Sequence, residues 1–326
     1  MNIYAARVAI VGVTGYTGRE LDRILATHPK FAVTGRFASK ADEKSGAEVF
    51  SLERLRSFSP DAVVLATEHE LSMQLVPELL RESYRIIDMS GAFRLTEAAQ
   101  YVEWYGFEHT APELLKEAVY GLPEVMSEKI RLAKLVANPG CYATAAVLPL
   151  IPLYNANAID PECTVVVDGK SGVSGAGRAP KPETHFCEVN ENLSAYGVMK
   201  HRHTPEMVAQ LRGATLDRFV FTPHLIPITR GILNTITLRI SSRASAHSIL
   251  AETYAKSPFV RVLPAGQLPN VQSVVRTNLC SIGVATKGAN TVIVSVIDNL
   301  VKGAAGLAVE NLNLMFGCEP AAGLLK

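Results

Sequence analysis

Cys141 is the residue best placed for covalent chemistry. It stands in Asn138-Pro139-Gly140-Cys141-Tyr142-Ala143-Thr144, just past a Pro-Gly turn, and the apolar run Ala145 to Leu153 follows at once. If that run is a helix, Cys141 lies in its first turn. Unpaired N–H groups there stabilise a thiolate and lower the thiol pKa. The same groups can hold the oxyanion of a carbonyl that the sulfur attacks. The plainer alternative is a buried cysteine at a turn, since cysteine often behaves as a small hydrophobe.

An activated thiol needs a base, and Lys200-His201-Arg202-His203-Thr204-Pro205-Glu206 offers one. Thr204 suits an N-cap and Pro205 the first helical position. His203 then sits at a helix entrance, with Glu206 close enough to orient its ring. A histidine with a carboxylate partner is a general acid/base near neutral pH, and Cys with His is the pairing a thiol nucleophile requires. Two histidines in a basic turn can also be plain surface residues. They lack a third ligand for a metal.

The amino end holds elements that position these residues. Arg7 to Val11 reads as a buried parallel strand. Gly12-Val13-Thr14-Gly15-Tyr16-Thr17-Gly18 follows, then a stretch of helical spacing from Arg19 to Leu25. Strand, glycine turn and helix are the context of a dinucleotide site, where backbone approaches a pyrophosphate at a helix N-terminus. The second strand, Ala32 to Gly35, is followed by Arg36-Phe37-Ala38-Ser39-Lys40. An NAD site would carry an acid there for the ribose 2′-hydroxyl. Arg36, Ser39 and Lys40 suit a 2′-phosphate instead, so NADP(H) is the expected cofactor.

Strands and helices alternate as far as Cys141: a strand at Ala62 to Thr67, a helix at Leu71 to Arg81, a strand at Arg85 to Met89. The last ends in Ser90-Gly91-Ala92-Phe93-Arg94, which places Arg94 at a strand's carboxyl end. This predicts an α/β, Rossmann-like, doubly wound parallel sheet. Beyond about residue 157 the strand-like runs are Thr164 to Asp168, Arg218 to Thr222, Ile232 to Ile240 and Thr291 to Ile297, with a helix at His247 to Lys256. They predict an α+β second domain with a mostly antiparallel sheet. The expected division is 1–141 for NADP binding and 142–299 for catalysis, substrate and oligomerisation. A final helix over 300–326 packs back on the first domain. Ser171-Gly172-Val173-Ser174-Gly175-Ala176-Gly177-Arg178 either wraps a ligand or is an ordinary long connection.

Composition sets outer limits. The 326 residues suffice for two domains. A net charge of +1 points to neither nucleic acid nor an anionic membrane, and no apolar stretch reaches the length of a span. Met1 to Arg7 runs directly into a strand, so no signal peptide is expected. Five cysteines at scattered positions argue for a reducing cytoplasm, without a disulfide framework or zinc.

Taken together, these motifs resemble the N-acetyl-γ-glutamyl-phosphate reductase family, the arginine-biosynthesis branch of the semialdehyde dehydrogenase group. The resemblance covers nearly the whole chain. It rests on the glycine turn, Ser90–Arg94, Asn138–Tyr142, Ser171–Arg178, His201–Glu206, Phe221-Thr222-Pro223-His224-Leu225 and Asp298-Asn299-Leu300-Val301-Lys302-Gly303, in that order. The stretch between Ser39 and Leu55 is shorter than in many members.

The resemblance implies NADPH-dependent reduction of an acyl phosphate to a semialdehyde through a cysteine thioester. Cys141 is then the nucleophile and His203, with Glu206, the acid/base. Arg94, Asn138, His201 and Ser171 face substrate. Gly12, Thr14, Gly15, Tyr16, Thr17, Gly18, Ser90, Gly91, Ser174, Gly175 and Asn299 join Arg36, Ser39 and Lys40 around the cofactor. A homodimer or homotetramer is expected. The rival substrates are other acyl phosphates, such as aspartyl phosphate or a carrier-linked amino acid. A rival of another class is an NADP(H)-sensing regulator, which has no need of Cys141 and the His203–Glu206 pair.

Overall fold

The computed structural model describes residues 4–241 and 245–324. Residues 1–3, and 325–326 of the expected final helix, lie outside them. The chain divides into two compact units, Met1–Gly140 with Ala304–Lys326, and Cys141–Gly303. The crossing falls on the Gly140–Cys141 bond, so Cys141 opens the second unit rather than closing the first.

The first unit runs β1 (Ala6–Val11), α1 (Tyr16–Leu25), β2 (Phe31–Ala38), β3 (Glu48–Val49), α2 (Leu52–Ser57), β4 (Ala62–Leu65), α3 (His69–Arg81), β5 (Arg85–Asp88), α4 (Ala98–Tyr105), β6 (Val119–Tyr120), α5 (Pro123–Leu132) and β7 (Leu135–Ala137). Its strands form one parallel sheet in the order β3-β2-β1-β4-β5-β7-β6. A parallel sheet covered on both faces needs continuously apolar strands, and all of Ala62-Val63-Val64-Leu65 is buried. The strand order reverses between β1 and β4. In such sheets the carboxyl ends at that reversal form the ligand crevice.

β2 continues to Ala38, three residues past its expected end. Phe37 explains the extension. It is fully buried, with Phe50 and Phe58 packed edge-on against its ring at 5.6 and 5.7 Å.

The second unit runs α6 (Cys141–Asn155), β8 (Val165–Gly172), α7 (Phe186–Val189), β9 (Ser194–Ala195), α8 (His203–Ala209), β10 (Phe219–Ile226), β11 (Ile232–Arg239), α9 (Ala246–Tyr254), β12 (Val260–Val262), β13 (Cys280–Lys287) and β14 (Asn290–Ile297). The sheet order is β12-β13-β14-β11-β8-β10-β9. The β8–β10 and β12–β13 pairs are parallel and the others antiparallel. Helix α6 is buried on every side from Tyr142 to Leu153, as its uniformly apolar sequence demands. It packs on β11, β14, α8 and α9. Residues on the sheet face toward it, such as Val167, Phe221 and Ile236, are buried.

In both sheets the outermost strands are short. β3, β6 and β9 have two residues each and β12 has three.

A π-turn at Val301–Ala305 leads into α10 (Gly306–Met315), which packs on α1 and α5. The expected continuous helix over 300–326 is therefore shorter at both ends. Gly317, in the left-handed region at φ 67°, stops it. The Cys318 N–H closes back on the Asn313 carbonyl at 2.8 Å, the ordinary glycine-terminated helix end. Among the described residues, no helix is long and apolar enough to cross a membrane.

Candidate active site

The glycine turn of the first unit is built for close approach. Gly12 has φ 91°, and a Cβ there would lie 2.2 Å from the Ala66 carbonyl oxygen. A Cβ on Gly18 would lie 2.2 Å from the Gly12 carbonyl oxygen, whereas one on Gly15 meets nothing closer than 3.5 Å. Gly12 thus lets β1 and β4 close up at the sheet's reversal point, and Gly18 seats the first turn of α1 on the loop. Gly15 caps α1 without a side chain. The first N–H groups of a helix have no intrahelical acceptor, so those of Tyr16, Thr17 and Gly18 form a donor set that fits a pyrophosphate.

Arg36 departs from expectation. Because β2 runs on to Ala38, Arg36 is a strand residue, and its Nε pairs with Asp22 Oδ1 of α1 at 2.8 Å. Its charge is already compensated. Ser39 and Lys40 follow the strand and are exposed.

At the end of β5 the carboxylate of Asp88 is fully buried, and burial pushes its pKa up against the pull of its hydrogen bonds. Ser72 Oγ donates to Oδ1 at 2.7 Å and Ser90 Oγ to Oδ2 at 2.8 Å. Ser90 Oγ also accepts from the Ala92 N–H, while the Gly91 N–H donates to His69 Nδ1 at 2.8 Å. The hydroxyl of Ser90 and the N–H of Gly91 thus shape their own loop.

Arg94 and Asn138, the expected substrate residues, are tied to the backbone around them. Arg94 Nε donates to the Asn138 carbonyl at 2.8 Å and Nη2 to the Met89 carbonyl at 2.9 Å. That edge of the guanidinium, the one suited to a bidentate carboxylate, is committed to the backbone. Asn138 is buried; its Nδ2 donates to the Ala304 carbonyl at 3.2 Å, and its Oδ1 accepts from Asn311 Nδ2 at 3.1 Å.

In the second unit Cys141 is the first residue of the 15-residue α6, the position where helix N–H groups and the dipole act most strongly on a thiolate. Tyr142 beside it is buried, and its hydroxyl donates to the His224 carbonyl at 2.9 Å. His201 is ringed by Tyr142, Tyr196, His203 and Phe221, with centroids 4.8 to 5.8 Å away and edge-to-face.

Burial, with the nearby Arg202 charge, pushes the His201 pKa down to about 3. Its Nδ1 accepts the His203 N–H at 3.1 Å, which leaves the ring proton on Nε2. His201 is therefore a neutral donor. Burial, opposed in part by a bond with Tyr142 and reinforced by the Cys141 charge, pushes the Tyr196 hydroxyl up to about 12.

Helix α8 begins at His203, one residue before the expected cap. Thr204 lies inside it, its N–H bonded to the His201 carbonyl at 2.9 Å. His203 and Glu206 are both buried and three residues apart in α8, which puts them on one helix face. The sequence assigns no role to Tyr142, Tyr196 or Phe221, although Tyr142 and Phe221 stand within the motifs quoted above. Tyr142 was legible as the neighbour of Cys141. Tyr196 lies in a loop without any pattern.

The glycine-rich loop after β8 turns its polar groups inward. Ser171 Oγ donates to the Gly172 carbonyl at 3.0 Å, and Ser174 Oγ accepts from Asn299 Nδ2 at 3.0 Å. Asn299 Oδ1 accepts the Gly231 N–H at 2.7 Å. Ser174 and Asn299 thus tie the loops after β8 and β14 together, Ser171 bonds at the end of its own strand, and Gly175 is exposed.

Residues 7–133 match the NAD-binding domain of the semialdehyde dehydrogenases, and residues 141–299 their dimerisation domain. The N-acetyl-gamma-glutamyl-phosphate reductase of Magnetococcus marinus is 45% identical, with 98% of this chain and 97% of that one covered. The chain belongs to the N-acetyl-γ-glutamyl-phosphate reductase family. Reductases of the same name from Geobacter metallireducens and Neisseria gonorrhoeae are 44% and 42% identical, covering 97% and 98% of this chain and 97% and 96% of their own.

The family fold extends further. Aspartate semialdehyde dehydrogenase II from Vibrio cholerae superposes with a TM-score of 0.72 at 18% identity, covering 95% of this chain and 98% of that one. Aspartate semialdehyde dehydrogenase with NADP from Candida albicans gives 0.68 at 14% identity, with 95% and 98% covered.

Proposed function

We propose that this reductase converts N-acetyl-L-glutamyl 5-phosphate to N-acetyl-L-glutamate 5-semialdehyde with NADPH, a step of arginine biosynthesis. The observation that carries the reading is Cys141 at the head of buried helix α6, in a chain 45% identical to a reductase of that name.

The glycine turn and the start of α1 fit the cofactor pyrophosphate, because close backbone packing at Gly12 and Gly18 sets the loop against α1 and leaves the first N–H groups of that helix as donors. Exposed Lys40 and Ser39 are the candidates for its 2′-phosphate. NADPH, when bound, supplies the hydride that takes the acyl carbon to the aldehyde level.

The chain's own residues do the rest. The Cys141 sulfur bonds to the acyl carbon, and the carbon–oxygen bond to phosphate breaks, leaving a thioester. N–H groups at the head of α6 take the charge on the carbonyl oxygen. When the reduced carbon releases sulfur, the bonding electron pair returns to Cys141 as thiolate. His203 carries the proton to and from the carbonyl oxygen, and Glu206 orients it. Neutral His201 offers its Nε2 proton as a hydrogen-bond donor to substrate.

Association into dimers fits the sheet face turned away from α6. Val220, Val166, Thr237, Val292 and Ala285 stand in one register row across five strands, and Val166 is 36% exposed. An apolar row of this kind suits a second copy. Val166→Asp should lower the sedimentation coefficient toward that of a monomer. Reduced cysteines suit the cytoplasm.

The deciding experiment is the reverse reaction with N-acetylglutamate semialdehyde and NADP⁺. NADPH should form only when phosphate or arsenate is present to release the thioester. Equal formation without either rules out the acyl-phosphate reading, and a panel of other semialdehydes tests the substrate.

A further inference from the structure

We infer that Gly303 is a positioning residue for the Cys141 nucleophile. The inference rests on the reading of Cys141 above and adds a residue to which that reading gives no task. A Cβ built on Gly303 would lie 2.8 Å from Cys141 Cβ and 3.2 Å from Cys141 Cα, with Ile297 Cδ1 also at 3.2 Å. Carbon atoms pack best at about 3.5–4.0 Å, so a methyl group here must displace something.

The backbone itself does not call for glycine at this position. Gly303 is not among the glycines in the left-handed region, and an L-residue could take its conformation. What excludes a side chain is the nucleophile.

Neither partner can give way. Gly303 lies in the π-turn, where its N–H donates to the Asp298 carbonyl at 2.9 Å, and the Val301 N–H donates to the same oxygen at 3.2 Å. The Asp298 carboxylate is fully buried. Its Oδ1 accepts the N–H groups of Leu300 and Val301 at 2.9 and 3.2 Å, and its Oδ2 accepts that of Arg276 at 2.6 Å. Arg230 Nε pairs with Oδ2 at 2.8 Å. Lys302, buried beside Gly303, has its Nζ 5.3 Å over the Phe259 ring.

On the other side, the start of α6 is fixed through Tyr142. Its hydroxyl is bonded to the His224 carbonyl, and its own carbonyl accepts Asn234 Nδ2 at 3.1 Å. The turn is a rigid stop against which the head of α6 rests. Bare backbone at 303 leaves the Cys141 Cα–Cβ bond its working direction.

The test is Gly303→Ala. A displaced nucleophile should lower kcat by about 10²-fold, the loss that a shift of about 1 Å produces. KM for NADPH should stay near the wild-type value. Alkylation of Cys141 by iodoacetamide, followed by peptide mapping in the absence of substrate, should slow by roughly tenfold.

The crowding should also be relieved by its partner. The fall in thermal midpoint caused by Gly303→Ala should shrink in a Cys141→Gly background, which removes the shortest contact, and should shrink less when Ile297→Val removes the contact with Ile297 Cδ1. Unchanged kcat and alkylation in Gly303→Ala overturn the inference. So does a Gly303→Ala variant that fails to fold and is not rescued by Cys141→Gly, provided Cys141→Gly alone folds. The nucleophile assignment fails separately, if Cys141→Ser retains turnover.

Discussion

The Tyr254 hydroxyl of α9 donates to the Leu148 carbonyl in the middle of α6, at 2.6 Å. Pro152 is the reason. In a regular helix that carbonyl would accept the N–H of residue 152, and proline has none. A side chain from a neighbouring helix thus supplies the missing donor to the element whose first residue is Cys141. Tyr254→Phe should cost about 1–3 kcal/mol, the usual result of stranding a buried carbonyl. The urea midpoint should fall while the slope of the transition is unchanged. An unaltered midpoint would mean that α6 needs no external donor.

The two histidines should separate by pH. The His201 pKa is lowered from 6.5 to about 3. Between those values the unfolded chain binds a proton at His201 that the folded protein refuses. Stability therefore falls as pH drops through 6.5 toward 3, and His201→Gln should flatten that part of the curve in urea titrations. In turnover His201 stays neutral throughout, so it contributes no limb to the rate profile. His203→Asn should lower kcat by about 10²–10⁴-fold and remove one limb. A mild effect at 203 with a severe one at 201 reverses the assignment.

Cofactor preference should depend on Asp22 as well as on the cations. Asp22 holds Arg36 at 2.8 Å with both side chains largely covered. NADPH should still be preferred to NADH by at least about tenfold, roughly 1.4 kcal/mol. Lys40→Ala should raise KM for NADPH and leave KM for NADH unchanged. Asp22→Asn should release Arg36 toward the 2′-phosphate and lower KM for NADPH by up to about fivefold, roughly 1 kcal/mol. Equal use of the two cofactors by the wild-type enzyme would remove this loop from the ribose.

Thiol reactivity should run against exposure. Cys187 is exposed and Cys141 only partly so, yet the helix terminus favours thiolate at Cys141. Limiting iodoacetamide should label Cys141 first, and Cys141→Ser should abolish turnover while NADPH binding is retained. First labelling at Cys187 would move the nucleophile there.

The alternation of strands and helices was legible in the first unit because parallel strands are apolar throughout, as in Ala62–Leu65. Antiparallel β11 and β14 were legible from β-branched alternation. β13 was not, since Cys280-Ser281-Ile282-Gly283-Val284-Ala285 mixes small residues that carry no period. Cys141 could be read as a helix-head thiol from its turn and apolar run alone. The duties of Asn138, Ser90 and Asn299 could not, because an amide or hydroxyl looks the same in sequence whether it serves a ligand or a distant loop. The pairing of Arg36 was hidden for a related reason: its partner Asp22 lies fourteen residues away on another element.

The short outermost strands bear on how this enzyme behaves when crowded. A sheet border is a row of unpaired N–H and C=O groups onto which another chain can add. Here the outermost strands are only two or three residues long, and β3, β9 and β12 cover only two or three of the eight residues of β2, β10 and β13. The remaining outer edges of β2, β10 and β13 are therefore the places in the two sheets where an added strand would pair. Conditions chosen for storage or crystallisation should guard against pairing at those three edges.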